Sequence, residues 1–84
     1  MNLTEIFGYA ATAFTIIAFI PQVLLVIKTR ETKDISLATF LFLLTGAITW
    51  TTYGIMTNSL PIIITNVVIG ILQFVIIVFK LRYG

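Results

Sequence analysis

Two uncharged side chains, Trp50 and Asn66, interrupt long apolar runs, and their types suit one kind of chemistry. A flat indole face stacks on the CH faces of a sugar ring, and a carboxamide both donates to and accepts from hydroxyls. Trp50 lies seven residues before Thr57, where the second run ends, and Asn66 six residues after Leu60, where the third begins. In helical conformation these depths are ~10 Å and ~9 Å from the same end. Thr12, counted from Glu5 at the start of the first run, reaches a similar level. One layer is therefore expected to hold Trp50, Asn66 and Thr12, a neutral polar ring fitted to an uncharged solute. A cationic solute would need an acid within the runs, and they contain none.

Pro21 and Gln22 are the second feature with consequences. Proline removes a backbone donor and clashes with the carbonyl four residues back, here that of Ile17. In lipid no water replaces the lost bond. A weakened helix beside the polar Gln22 predicts a hinge lining a wet path. Helical facing at three- and four-residue steps groups further residues. Gly8, Ala11, Thr15, Ala18 and Gln22 share a face of the first run. Leu43, Gly46, Ala47, Trp50, Tyr53, Gly54 and Thr57 share one of the second, and Asn66, Gly70 and Gln73 one of the third. The substrate-binding set expected from depth and facing is Trp50, Asn66, Thr12 and Thr15. Phe19 and Leu43, facing the path further along, are expected to form an apolar inner gate.

The elements that must position these residues follow from composition. The chain has 84 residues, 60% hydrophobic, with 10% charged, and a mean hydropathy of +1.15. Soluble domains carry about 25% charge, and so small a core cannot hide this much apolar surface. Three charge-free stretches run from about Ile6 to Ile27, Ile35 to Met56 and Leu60 to Phe79. Each is long enough to cross ~30 Å of hydrocarbon as helix. The expected fold is an all-α membrane protein, one three-helix bundle over residues 1–84. Asp34 or Ser36 is expected to cap the second helix, and Pro61 suits the first turn of the third. The start lacks a basic n-region and a cleavage site, so no signal peptide is expected.

The first loop holds Lys28, Arg30 and Lys33, and the C-terminus Lys80 and Arg82; the second loop and the N-terminus hold no Lys or Arg. This asymmetry predicts a cytoplasmic C-terminus and an N-terminus outside. Three helices cannot enclose a solute path alone, and small residues allow close helix approach in lipid. A parallel homodimer is therefore expected, its axis along the membrane normal. The net charge of +2 is too small to indicate nucleic acid. With no Cys, no His and no paired acids in the spans, neither an enzyme nor a metal or other cofactor is expected, and a proton relay has no carrier.

The ordered set Phe19-Ile20-Pro21-Gln22, the basic stretch ending in Asp34-Ile35-Ser36, Gly46-Ala47-Ile48-Thr49-Trp50, Tyr53-Gly54, Pro61 and Asn66-Val67-Val68 resembles the bacterial SemiSWEET sugar transporters of the PQ-loop family. The resemblance covers essentially the whole chain. It implies a parallel homodimer in the bacterial cytoplasmic membrane that moves mono- or disaccharides by alternating access. It also implies a sugar pocket at Trp50 and Asn66, a hinge at Pro21, and an outer gate at Tyr53. Family members often carry an Arg and an Asp just beyond that tyrosine as an outer ionic latch. Here those positions are Thr57 and Ser59, so outer closure is expected to rest on a weaker hydroxyl pair, Tyr53 and packing. Facilitated diffusion as a uniporter is the expectation. The alternatives are a PQ-loop transporter of another small neutral solute, or a small assembly or pore protein.

Overall fold

The structure, a computed structural model describing residues 1–84, contains three helices. They are α1, Leu3–Thr29; α2, Leu37–Met56; and α3, Leu60–Tyr83. All three are long and apolar enough to cross a membrane. The helices overrun the first and third apolar stretches, because caps rather than hydropathy end a helix. Asn2 accepts from the Glu5 N–H at 2.8 Å to start α1. Arg30 ends it in the left-handed region, its N–H returning to the Val26 carbonyl. Of the two caps considered for α2, Ser36 takes the role, accepting from the Thr39 N–H. Lys28 closes α1 and Lys80 and Arg82 close α3, cations placed where the helix dipole favours them. Pro21 lies within α1, which remains one continuous helix.

The spatial order is α1–α3–α2. α3 packs on both neighbours, while no Cα of α1 comes within 8 Å of one in α2. The Cα envelope measures 45 × 22 × 14 Å. Its long axis matches the ~40–45 Å of a full bilayer, and its thin axis little exceeds one helix. The molecule is thus a bent row of helices with α3 in the middle, leaving a cleft between α1 and α2.

Small residues set the helix spacing. A Cβ on Gly8 would lie 3.1 Å from the Pro61 ring, and one on Gly54 would lie 2.9 Å from Ile62 Cγ2. Gly70 meets Ala47 at ordinary contact distance. The small and polar stripe of α2 therefore divides. Ala47 and Gly54 are buried, whereas Gly46 faces open space. Only nine residues are buried in the protomer, and Phe7, Phe14, Phe42 and Met56 are among the large exposed side chains. That surface is expected of a lipid-facing protein, whose exterior has no reason to be polar.

At the basic end the α1–α2 loop docks on the last turn of α3. Lys80 Nζ donates to the Thr32 carbonyl at 2.9 Å, and the Arg30 guanidinium lies 5.3 Å from the Tyr83 ring centroid. Thr32 is 2% exposed as a result.

Candidate functional site

A cavity of about 700 Å³ occupies the cleft at the end formed by the N-terminus and the α2–α3 turn. This volume lies within the roughly 300–1,000 Å³ of small-molecule sites. α1 supplies one wall through Tyr9, Ala11, Thr12 and Thr15; α2 supplies the other through Trp50 and Thr57; Pro61, Ile62, Thr65 and Asn66 of α3 form the floor. Thr4, Glu5, Asn58, Ser59 and Leu60 ring the mouth. Glu5 is the one formally charged side chain in this lining, and it is exposed.

The four residues selected for solute contact, Trp50, Asn66, Thr12 and Thr15, all line this cavity, but they are not equally available. Trp50 is 55% exposed in the protomer, and its ring meets Tyr53 edge to face at 5.5 Å. Asn66 donates through Nδ2 to the Ile62 carbonyl at 2.9 Å. That bond fixes the amide and directs one donor away from a solute. Thr12 is buried. Its hydroxyl is occupied by the Gly8 and Pro61 carbonyls and by the Thr65 hydroxyl. Thr12 therefore joins α1 to α3, and its hydroxyl is committed to protein partners. Thr15 is exposed along the same wall.

The residues of the expected outer gate separate in the same way. Thr57 and Ser59 line the cavity mouth and Tyr53 stands behind Trp50. The Thr57 hydroxyl donates to the Tyr53 carbonyl at 2.8 Å, in its own helix. Ser59 begins α3 without a side-chain cap bond. The hydroxyls of Thr57 and Ser59 thus form no mutual latch in this conformation. Pro21, Gln22, Phe19 and Leu43 lie outside the cavity lining. Pro21 and Gln22 are exposed on α1, Phe19 is half-buried and Leu43 is 43% exposed.

Sequence reasoning missed Thr65, Tyr9 and Asn58 as lining residues. The missing information was the alignment of α1 with α3. Gly8 abuts Pro61 and Thr12 reaches Thr65, so the two helices run parallel at a fixed offset. Glycine and threonine four residues apart on α1, with proline and threonine four apart on α3, was the available signal.

The PQ-loop repeat family model matches residues 3–63. A sugar transporter SemiSWEET of Bradyrhizobium diazoefficiens is 42% identical over 82 residues, covering 98% of this chain and 95% of that protein. A crystal structure of a bacterial homologue of SWEET transporters superposes with a TM-score of 0.91 at 41% identity, covering 99% of this chain and all of that one. A crystal structure of SemiSWEET in the inward-open conformation superposes with a TM-score of 0.90 at 36% identity, covering 98% of this chain and 88% of that one.

Proposed function

The chain belongs to the PQ-loop family as one of its SemiSWEET members, and from that premise we propose that it carries mono- or disaccharides across the membrane by alternating access, as a uniporter. It is a member of a transporter family and not an enzyme. The observation that carries the reading is the pairing of Trp50 and Asn66 across one cleft of about 700 Å³. Trp50 stacks on the pyranose face. Asn66 uses the acceptor Oδ1 left over from its bond to Ile62. Thr15 adds a hydroxyl, and Thr12 holds the α1 wall in place and contributes its methyl group.

The working unit is a parallel homodimer, in which two clefts face each other and form one central path. The exposure of Trp50 and Tyr53 in the protomer supports this, since it leaves two large aromatic side chains for a second copy to cover. The N-terminus lies outside and the C-terminus in the cytoplasm, in the bacterial inner membrane; the grouping of all five basic side chains at one end supports that orientation. Tyr53, Thr57 and Ser59 close the outer mouth. Phe19 and Leu43 close the inner one, and α1 bends at Pro21 beside Gln22. A relative has been crystallised inward-open, one of the states such a cycle requires. Transport is uncoupled from protons, because the one acid in the cavity lining, Glu5, is exposed in the first turn of α1 and no acid or histidine lies deeper in the spans.

Counterflow of labelled glucose and sucrose in proteoliposomes, with ion conductance recorded in parallel, tests the reading. Saturable sugar exchange without conductance is the expected result. Conductance without saturation identifies a pore, and saturable exchange of another neutral solute alone identifies a different carrier.

A further inference from the structure

Past the cavity, α3 runs on toward the basic end. On α3, three polar residues stand at seven-residue intervals: Asn66, Gln73 and Lys80. Seven residues are two turns with about 20° of drift, so the three share one stripe, each about 10 Å beyond the last. Asn66 borders the cavity. Lys80 holds the Thr32 carbonyl at the basic end. Gln73 lies between them and is 3% exposed, with its Oε1 fully enclosed and without a hydrogen-bond partner.

An unmade hydrogen bond on a buried amide carries its full desolvation cost, and in hydrocarbon no water relieves it. Methionine or leucine fills such a space without that cost. A glutamine serving as a link between helices would have its acceptor bonded, as the Thr12 hydroxyl is bonded to α3. Val23, Ile69, Ile76 and Ile77 are buried in the same half of the molecule. The cavity thus lies at the turn end, and Gln73 lies in the packed half toward the basic end.

We propose that Gln73 is a second solute-contacting residue, an acceptor for a sugar hydroxyl that comes into use when the cleft opens at its basic end. The proposal rests on the carrier reading above. Opening that end parts Lys80 from Thr32, separates α1 from α3 around Val23, and uncovers the Gln73 amide. The solute, leaving the layer of Trp50 and Asn66, meets Gln73 about two turns further along the same stripe. The buried acceptor is then a group kept ready for the opposite conformation.

The chain contains no cysteine, so Gln73→Cys places a single thiol in a silent background. A membrane-impermeant methanethiosulfonate is applied to each face of the reconstituted protein, with and without saturating glucose or sucrose. Reaction from the basic face alone, slowed at least threefold by sugar, is the expected result; no reaction from either face overturns the proposal. Gln73→Met, close in shape and a far weaker acceptor than an amide oxygen, gives a second readout should the thiol variant fail to assemble. Its KM for sugar entering from the basic face rises about five- to tenfold, the effect of one hydrogen bond. KM from the other face moves less than twofold, with Vmax/KM equal at the two faces as a passive carrier requires. Unchanged KM at both faces in Gln73→Met, with the wild-type chain transporting normally, overturns the proposal and leaves the carrier reading intact. A wild-type chain that exchanges no sugar removes the carrier reading itself.

Discussion

Adding one methyl group at Gly54 tests the packing that sets the width of the cavity. An ideal Cβ there lies 2.9 Å from Ile62 Cγ2, 3.0 Å from Ile63 Cγ1 and 3.2 Å from Ile62 Cβ. Non-bonded carbons settle at about 3.5–4.0 Å, so α2 and α3 must part by roughly half an ångström or more. The isoleucines cannot swing aside, because a β-branched side chain in a helix holds one rotamer about 90% of the time. The turn gives little either, since the Ser59 N–H is bonded to the Gly54 carbonyl at 2.8 Å. Overpacking of this kind costs about 1–3 kcal/mol, and the better helix propensity of alanine offsets up to about 1 kcal/mol. The net expectation for Gly54→Ala is a loss of about 1–2 kcal/mol. In thermal unfolding followed by circular dichroism in detergent, each kcal/mol is about 4–8 °C for a chain of this size. Gly46→Ala is the control: nothing in the protomer lies within 4 Å of its Cβ, so a destabilisation there would come from the partner copy and depend on dilution. The same strain shifts the end of α2 that carries Trp50, one turn from Gly54, so sugar affinity falls along with stability. A Gly54→Ala chain that melts at or above the wild-type temperature would show that the α2–α3 contact is slack and that the reasoning from its geometry is wrong.

Trp50→Ala and Asn66→Ala each lower sugar uptake at least about tenfold, a stacking face or a hydrogen bond being lost from each copy of the proposed dimer; cross-linking checks that the variants assemble as the wild type does, and normal uptake by both variants moves the pocket elsewhere. Pro21→Ala restores the bond to the Ile17 carbonyl and stiffens α1, so flux falls while equilibrium sugar binding survives; a wild-type rate makes the proline a static packing feature. A pH gradient without a sugar gradient drives no accumulation, whereas concentrative uptake under that gradient identifies a proton-coupled carrier. A cysteine in place of Asn58 is labelled from outside intact cells, and one in place of Lys33 only after permeabilisation; the reverse pattern inverts the topology.

The three spans were legible in the sequence because hydropathy, charge and caps act locally. A charge-free stretch of about 20 residues in lipid has helix as its one way to satisfy its backbone. Ser36, a short side chain before an apolar run, is a cap on sight. The depth of Trp50 and Asn66 was legible for the same reason, since 1.5 Å per residue converts a count into a level. That both border one cavity then required α2 and α3 to be antiparallel neighbours, which their short connection imposes.

The order α1–α3–α2 was not legible. Each helix is apolar around nearly its whole circumference, and lipid tails are as apolar as leucine, so hydropathy does not say which face meets which helix. Close approaches decide it instead, such as Gly8 on Pro61 and Gly54 on Ile62. From that order follow the cleft between α1 and α2, the commitment of the Thr12 hydroxyl to α3, the division of the α2 stripe, and the burial of Gln73. The sequence by itself determined which side chains stand at which depth. Only the tertiary structure decided which of them face a cavity, because azimuth in a membrane helix is set by steric fit between neighbours and not by affinity for water.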